Sequence, residues 1–425
     1  MKKIVVYVFA LLSLIILMLS GCDDERLYYS TNGKTGENIE WSLIDETLNI
    51  SGTGAIPDFD FYGNGAKAPW YFLGDEIENI VVRDGITAVG DFAFAYLEAE
   101  NVILPESVTV IGDYAFFACE ELESIDVPDG VVSIGDYAFS ECFDLTDVYI
   151  PEGVLEIGYN AFFNCPSVTD FRVDKNNSSY SSENGVLFNA DKSTVISYPS
   201  GHKAVDYTVP ESVTDISDNA FAYSKNLKSV KLHGGIKHYG DGVFACSGIH
   251  AVKLPVGITS VTDRMFYGCE NLSEFTVPAG VEKIGESAFS NCTSLKSIEF
   301  PTSLSHIGDL AFSECVQLES LVLPPAVKTV NYRVFSGCSG LKNLELPIFL
   351  ENIESYAFSY CTSLESLVIS TGLENVDEFA FRGCSSLRNI EYEGTRAMWK
   401  NIRVEGGNDC FIDAVVSFPN DKKDN

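Results

Sequence analysis

The sequence predicts a β-rich solenoid: a rod of about twelve 23-residue coils, with a parallel sheet along one face and a cap at each end. Three observations carry this. Prolines recur at a fixed interval: Pro105, Pro128 and Pro151 are 23 apart, and Pro255, Pro278, Pro301, Pro324 and Pro347 keep that spacing. A phenylalanine stands eleven residues after each proline slot. Hydrophobic residues make up 46% of the 425 and aromatics 12%, enough for a continuous core and too many for a disordered chain.

Each element of the repeat has a physical reason. The phenylalanines are Phe94, Phe116, Phe139, Phe162, Phe221, Phe244, Phe266, Phe289, Phe312, Phe335, Phe358 and Phe381, with Pro210 in register and His233 and Ser370 filling two proline slots. The unit reads P-x-x-V-x-x-I-G-x-x-A-F-x-x-C-x-x-L-x-x-I-x-L. A period between 20 and 29 residues is the signature of a leucine-rich repeat solenoid, here with an α/β-type repeat. The L-x-x-I-x-L segment, as in Leu122, Ile125 and Val127, has the short apolar pattern of a strand. Proline ends it, lacking the ladder donor. Val and Ile three and six residues later make a second inward edge. A glycine follows in seven coils, such as Gly112, Gly135 and Gly308, and suits a tight turn. The Ala-Phe pair drives its ring between coils, so that stacking supplies the core. With strands about 4.8 Å apart, twelve coils span roughly 60 Å.

A column of cysteines accompanies the rings: Cys119, Cys142, Cys165, Cys269, Cys292, Cys315, Cys338, Cys361 and Cys384, with Cys246 one position early and Ser224 in the same slot. Thiols stacked on successive coils point the same way, which is poor geometry for a disulfide. No C-x-x-C pair supports a zinc knuckle. The expected role is structural, as buried small hydrophobes.

The N-terminus carries an expected export signal over residues 1–21. Lys2 and Lys3 precede an apolar run from Ile4 to Leu19, broken only by Ser13. Sixteen residues suit a signal-peptide core better than a membrane span. Leu19-Ser20-Gly21-Cys22 resembles the bacterial lipobox, which implies that Cys22 is diacylated and becomes the mature N-terminus. An ordinary signal peptide with an incidental cysteine is the alternative. Two acyl chains hold a protein on a membrane stably, at roughly 0.8 kcal/mol per buried CH₂. Residues 22–36 read as an acidic, polar tether. Asp23, Asp24 and Glu25 are a solvated spacer or a sorting signal.

Residues 37–82 read as an N-terminal β-rich cap with Trp41 and Trp70, residues 83–393 as the solenoid, and residues 394–425 as a C-terminal cap and tail with Trp399 and Phe411. Both caps cover open ends of the core. Pro151 to Pro210 is one coil plus 36 residues, an insertion over about 174–209. Within it, Asp174 to Ser179 is loop-like, and Val186-Leu187-Phe188 and Val195-Ile196-Ser197-Tyr198 flank a hairpin turn at Asn189 to Lys192.

The repeat resembles the BspA-type leucine-rich repeat family of bacterial and protist surface proteins. The likeness covers about three quarters of the chain beyond the signal. It implies a solenoid at the cell surface and a role in adhesion to host matrix proteins or other cells. The cysteine stands before the leucine here, where the common leucine-rich pattern has Asn or Cys after the strand.

Chemistry is hard to find. His202, His233, His238, His250 and His306 fall in no G-x-S-x-G or H-E-x-x-H setting. Gly52-Thr53-Gly54 is too short for a phosphate loop. Asp58-Phe59-Asp60 with Asn64 lacks the twelve-residue loop and closing Glu of a calcium hand. The reading is non-catalytic, with no cofactor and no metal. Against 28 Lys and Arg stand 61 Asp and Glu, a net charge of −33, so nucleic acid is a poor partner. Solute receptors need two lobes around a deep cleft, which the repeat leaves no residues to build.

The outward strand positions are less acidic than the rest, with seven cations against eleven carboxylates over twelve coils. Arg172, Lys228, Lys231, His250 and Lys253 gather there as candidate ligand contacts, either a basic strip or scattered solvated charges. The function this supports is a lipid-anchored extracytoplasmic binding or adhesion module for extracellular proteins or glycans. The alternative is a structural envelope or surface-coat protein without one dedicated ligand.

Overall fold

The computed structural model describes residues 30–60 and 65–419. The chain winds into a β-solenoid of about 15 turns. Each regular coil holds two strands. The longer one is the L-x-x-I-x-L segment, paired in parallel with its neighbours at a shift of 23, as in Leu321↔Leu344 and Leu344↔Leu367. The shorter, of two residues, follows the proline and makes a second parallel ladder, as in Ile134↔Ile157. Leu122, Ile125 and Val127 all point inward and are buried.

The turn count exceeds the dozen expected because the cap segments and the insertion join the ladders outside the regular period. Thr47–Gly52 pairs in parallel with Asn79–Val82, and Val415–Ser417 with Asn389–Tyr392. An end coil has unpaired backbone groups and an open apolar face, and an adjoining strand satisfies both. Leu48 and Ile50 are fully buried by that pairing. The expected tether also ends early: Asn32–Thr35 is an antiparallel strand against Ile39–Ile44.

The return leg of a coil is not helical. It is a third hydrogen-bonded edge, in which Tyr114, Phe116 and Ala118 donate to the carbonyls of Asp136, Ala138 and Ser140 at 2.8 Å each. The residues two before and two after each ring lie in the left-handed region, as Tyr137 (φ 53°) and Glu141 (φ 63°) do. Alternating left-handed residues preclude an α-helix. Among the described residues the α-helices lie in the C-terminal cap, at Arg396–Trp399 and Asp409–Ile412, with a 3₁₀ turn at Tyr71–Glu76.

The phenylalanines form a stacked column in the core. Phe116, Phe139 and Phe162 lie 5.2 and 5.5 Å apart with planes 3° from parallel. Trp70 continues it at one end and Phe411 at the other. The glycine after the short strand has a different reason from the turn expected. A Cβ on Gly135 would lie 2.5 Å from the Gly112 carbonyl carbon and 2.6 Å from the Asp113 nitrogen. At Gly135 the preceding coil lies too close for a side chain.

The insertion is built as expected over its hairpin. Val186–Asn189 pairs antiparallel with Thr194–Ser197, and Tyr180–Glu183 adds a third strand. It divides the core into two apolar clusters, one ending near Phe171 and Leu187 and the other beginning at Val186. Asn177 pins its first loop: Nδ2 donates to the carbonyls of Pro151 (2.7 Å) and Val154 (2.9 Å).

Candidate functional site

Four of the five strand-face cations come together. Ser229–Lys231 and Ala251–Val252 are neighbouring rungs, with Ser229↔Ala251 and Val230↔Val252 in register. Lys228 therefore stands beside His250, whose N–H donates to the Lys228 carbonyl at 3.0 Å, and Lys231 beside Lys253. Lys231, His250 and Lys253 are exposed. Lys228 is half-buried, its ammonium donating to the Lys225 carbonyl at 3.1 Å. Arg172 does not join them. It is exposed on Asp170–Val173, the last rung before the insertion, opposite Tyr149. The sequence places the insertion between Arg172 and the other four, but not how its antiparallel strands seat in the stack.

The long-strand ladder is interrupted beside the basic cluster. Ala251–Val252 has no strand pairing with Glu274–Thr276, nor Ser297–Glu299 with Ser320–Val322. A shallow groove opens at each break. The first, of about 590 Å³, is lined by His250, Lys253, Val256, Glu274, Thr276 and Pro278. The second, of about 420 Å³, carries Phe300, Val322 and Pro325. Val256 and Val322 are 80% and 82% exposed at these grooves. Exposed aliphatics beside broken pairing, with cations at one rim, make a surface suited to polypeptide contact.

The cysteine column is structural in its contacts. Nine thiols each donate to the phenylalanine carbonyl of the preceding coil, from Cys119 to Phe94 (3.1 Å) through Cys384 to Phe358 (3.1 Å). All nine are buried, and every described cysteine is a free thiol. Burial pushes Cys119, Cys165, Cys269 and Cys315 up to about 12. Cys22 lies outside the described residues.

Other singled-out residues have local partners. His233, in a proline slot, shares a 2.9 Å hydrogen bond between Nε2 and the Pro210 carbonyl. Asp58 Oδ1 accepts from the Asp91 N–H at 3.0 Å, the first rung of a carboxylate ladder. Asp91 accepts from the Asp113 N–H, and Asp113 from the Asp136 N–H, at 2.7 Å each. Burial raises the Asp91 carboxyl, the bond from Asp113 opposes that, and the charges of Asp58 and Asp113 add to it. Beside this ladder Phe92, Tyr114 and Tyr137 stack at 4.6 and 4.9 Å. These stripes went unread in the sequence, because they occupy positions that vary along the repeat.

Among the described residues no helix is long and apolar enough to cross a membrane. The family profile described as BspA type leucine rich repeat region (6 copies) matches residues 69–184, 200–296 and 282–401. Among solved structures, a leucine-rich repeat protein from Eubacterium ventriosum is 25% identical, with a TM-score of 0.56 over 91% of this chain and 95% of that one. A leucine-rich repeat protein from Bacteroides ovatus is 22% identical, with a TM-score of 0.53 over 91% and 99%. A comparison with curated proteins finds no match.

Proposed function

The chain belongs to the BspA-type leucine-rich repeat family, and from that premise we propose that it is a non-catalytic binding module, exported and held at the cell surface through a lipid on Cys22. Its ligand face is the long-strand side around Lys228, Lys231, His250 and Lys253. The partner is an extracellular protein or glycan that presents acidic groups.

The observation that carries this reading is the clustering of those four side chains on two adjacent rungs, in a chain of net charge −33, at the rim of an open groove. A cation cluster on an acidic rod concentrates positive potential locally and steers an acidic partner to one place. Each contact is weak, and display of many copies on one surface raises avidity.

The test uses purified chain lacking residues 1–22, applied to matrix proteins, mucins and intact bacteria. Lys228→Glu, Lys231→Glu and Lys253→Glu together should abolish binding at low salt and leave the melting temperature unchanged. Undiminished binding by this triple variant would refute the ligand face. Metabolic labelling with a palmitate analogue tests the anchor: wild-type chain takes up label and Cys22→Ser does not.

A further inference from the structure

Between the coil of Phe162 and the coil of Phe221 the insertion supplies one additional turn, and that turn is two residues short. Its short strand, Thr194–Ser197, pairs Val195 with Ile216, and Tyr198 takes the place of a column phenylalanine. The Tyr198 ring lies 5.3 Å from Phe221, and its N–H donates to the Ala220 carbonyl at 2.7 Å. In the next coil Ser217, Asp218, Asn219 and Ala220 separate Ile216 from Phe221; in the additional turn only Ile196 and Ser197 separate Val195 from Tyr198.

The missing pair leaves a cleft of about 440 Å³ between Tyr159 and Asn160 on one side and Asp218 on the other, with apolar lining from Ile157, Leu187 and Ile196. Tyr159 is 43% exposed there. Hydrogen bonds define what the gap lacks. Tyr137 and Asn219, each two residues before a ring, donate to the carbonyls of Tyr159 (2.9 Å) and Asp241 (2.8 Å) in the following coils. Phe139 and Phe221 likewise donate to the residue before the next ring, Ala161 (2.8 Å) and Val243 (2.9 Å). Among the described residues the N–H groups of Asn160 and Phe162 and the carbonyl of Asp218 have no backbone partner of this kind. The Asn219 side chain bridges the gap instead, giving long hydrogen bonds from Nδ2 to Asn160 Oδ1 (3.3 Å) and to the Tyr159 hydroxyl (3.4 Å).

One extended peptide unit in the register of the absent residues meets both walls. Its carbonyl accepts from the Asn160 N–H, and its own N–H donates to the Asp218 carbonyl. The carbonyl position before the Tyr198 ring is already held by Ser197, so the added segment replaces only the missing pair. The lining contributes the Asp218 carboxylate and no Lys or Arg, which favours a cationic side chain at the rim. We propose that this cleft binds a short extended segment of a partner protein, about two or three residues with a basic side chain beside Asp218, as backbone augmentation of the solenoid's turn edge. It is a second contact surface, on a different edge of the coil from the basic strand face and independent of it.

The test begins with a displayed library of random heptapeptides selected on the full chain. The competitor is a variant with Gly-Asp inserted between Ile196 and Ser197, which restores the regular turn length. A selected peptide, labelled and titrated by fluorescence anisotropy, should bind the native chain at least about tenfold more tightly than the filled variant. It should slow hydrogen exchange over residues 158–164, and Asp218→Asn should weaken it. The filled variant should melt at a higher temperature, which shows that it folds. Peptides that bind both chains equally, or a cleft occupied by neutral oligosaccharides on a glycan array and not by peptides, would overturn the proposal.

Discussion

The indole N–H of Trp70 donates to the carbonyl of Ala93 at 2.8 Å, in the place that a phenylalanine N–H of a preceding coil would fill. In the next coils Phe94 donates to Ala115 and Phe116 to Ala138 at the same distance. At the far end Phe381 donates to Asn408 Oδ1 (2.9 Å), and Asn408 Nδ2 donates to the carbonyls of Asp377 and Glu405. One side chain thus completes the row at each end, and both are fully buried.

Trp70→Phe keeps a ring against Phe94 but strips the donor, leaving the Ala93 carbonyl unpaired. That should cost about 1–3 kcal/mol, because a buried acceptor loses its partner. Asn408→Ala removes three hydrogen bonds and should cost more. Urea unfolding measures both. Because coils contact only their neighbours, hydrogen exchange should rise mainly in the terminal coils of each variant. A uniform rise along the rod would contradict this account of capping.

Gly135→Ala should be among the most damaging small substitutions. Its Cβ meets backbone of the preceding coil, which has no freedom to rotate away, and overpacking of this kind costs roughly 1–3 kcal/mol or more. Gly234→Ala is the control: nothing lies within 4 Å of its Cβ, and it should be nearly neutral. Comparable losses in thermal melts would mean that glycine acts here through chain flexibility.

Ala118→Gly should stabilise. Ala118 sits at φ 53°, and the left-handed region costs an L-residue roughly 1–2 kcal/mol, against about 0.5–1 kcal/mol of added chain entropy for glycine. At the corresponding place in other coils the chain already has Gly268, Gly337 and Gly383, all with positive φ. A lower melting temperature for the variant would show that the Ala118 methyl group packs more favourably than its backbone is strained.

The period made the proline, phenylalanine and cysteine columns legible, since a residue that must fill one internal space recurs wherever that space does. The left-handed positions carry Tyr, Ala, Asn, Arg and Leu, so no residue type announced them. The glycine after the short strand was visible, but its cause was not: close approach between coils is a property of the stack and not of any single turn. Arg172 aligns with Lys231 in the repeat, yet the insertion places antiparallel strands between their ladders. Trp70 and Asn408 lie outside the period, and only the assembled ends show which backbone groups need them.

The thiols should divide by burial. Cys246 and Cys410 are partly exposed, while the nine column thiols are buried and bonded to carbonyls. Only the thiolate attacks a disulfide reagent, and burial raises the column thiols far above neutral pH. A chain lacking residues 1–22 should expose at most two fast-reacting thiols when folded and all eleven described ones in denaturant. Rapid modification of Cys292 or Cys338 in the native state, mapped by mass spectrometry, would show that the column opens locally.

Acid should at first stabilise the rod. Burial raises the carboxyls of Asp91 and Asp241, and the charges of neighbouring aspartates on the same ladder add to the effect. A carboxyl raised by folding holds its proton to a higher pH than in the unfolded chain. The folded state therefore binds more protons through that window, and stability falls as pH rises through it. Asp174 and Asp191 have the opposite sign: the backbone N–H of Asn176 and the Ser193 side chain hold them low, and their contribution is lost as pH falls through those lowered values. The melting temperature should therefore rise as pH falls into the range of the raised carboxyls, and drop again in stronger acid. Asp91→Asn keeps an oxygen for the Asp113 N–H and removes the charge, so it should raise the melting temperature at neutral pH and flatten the profile. An unchanged profile in that variant would show that the carboxylate ladder contributes nothing to the acid response.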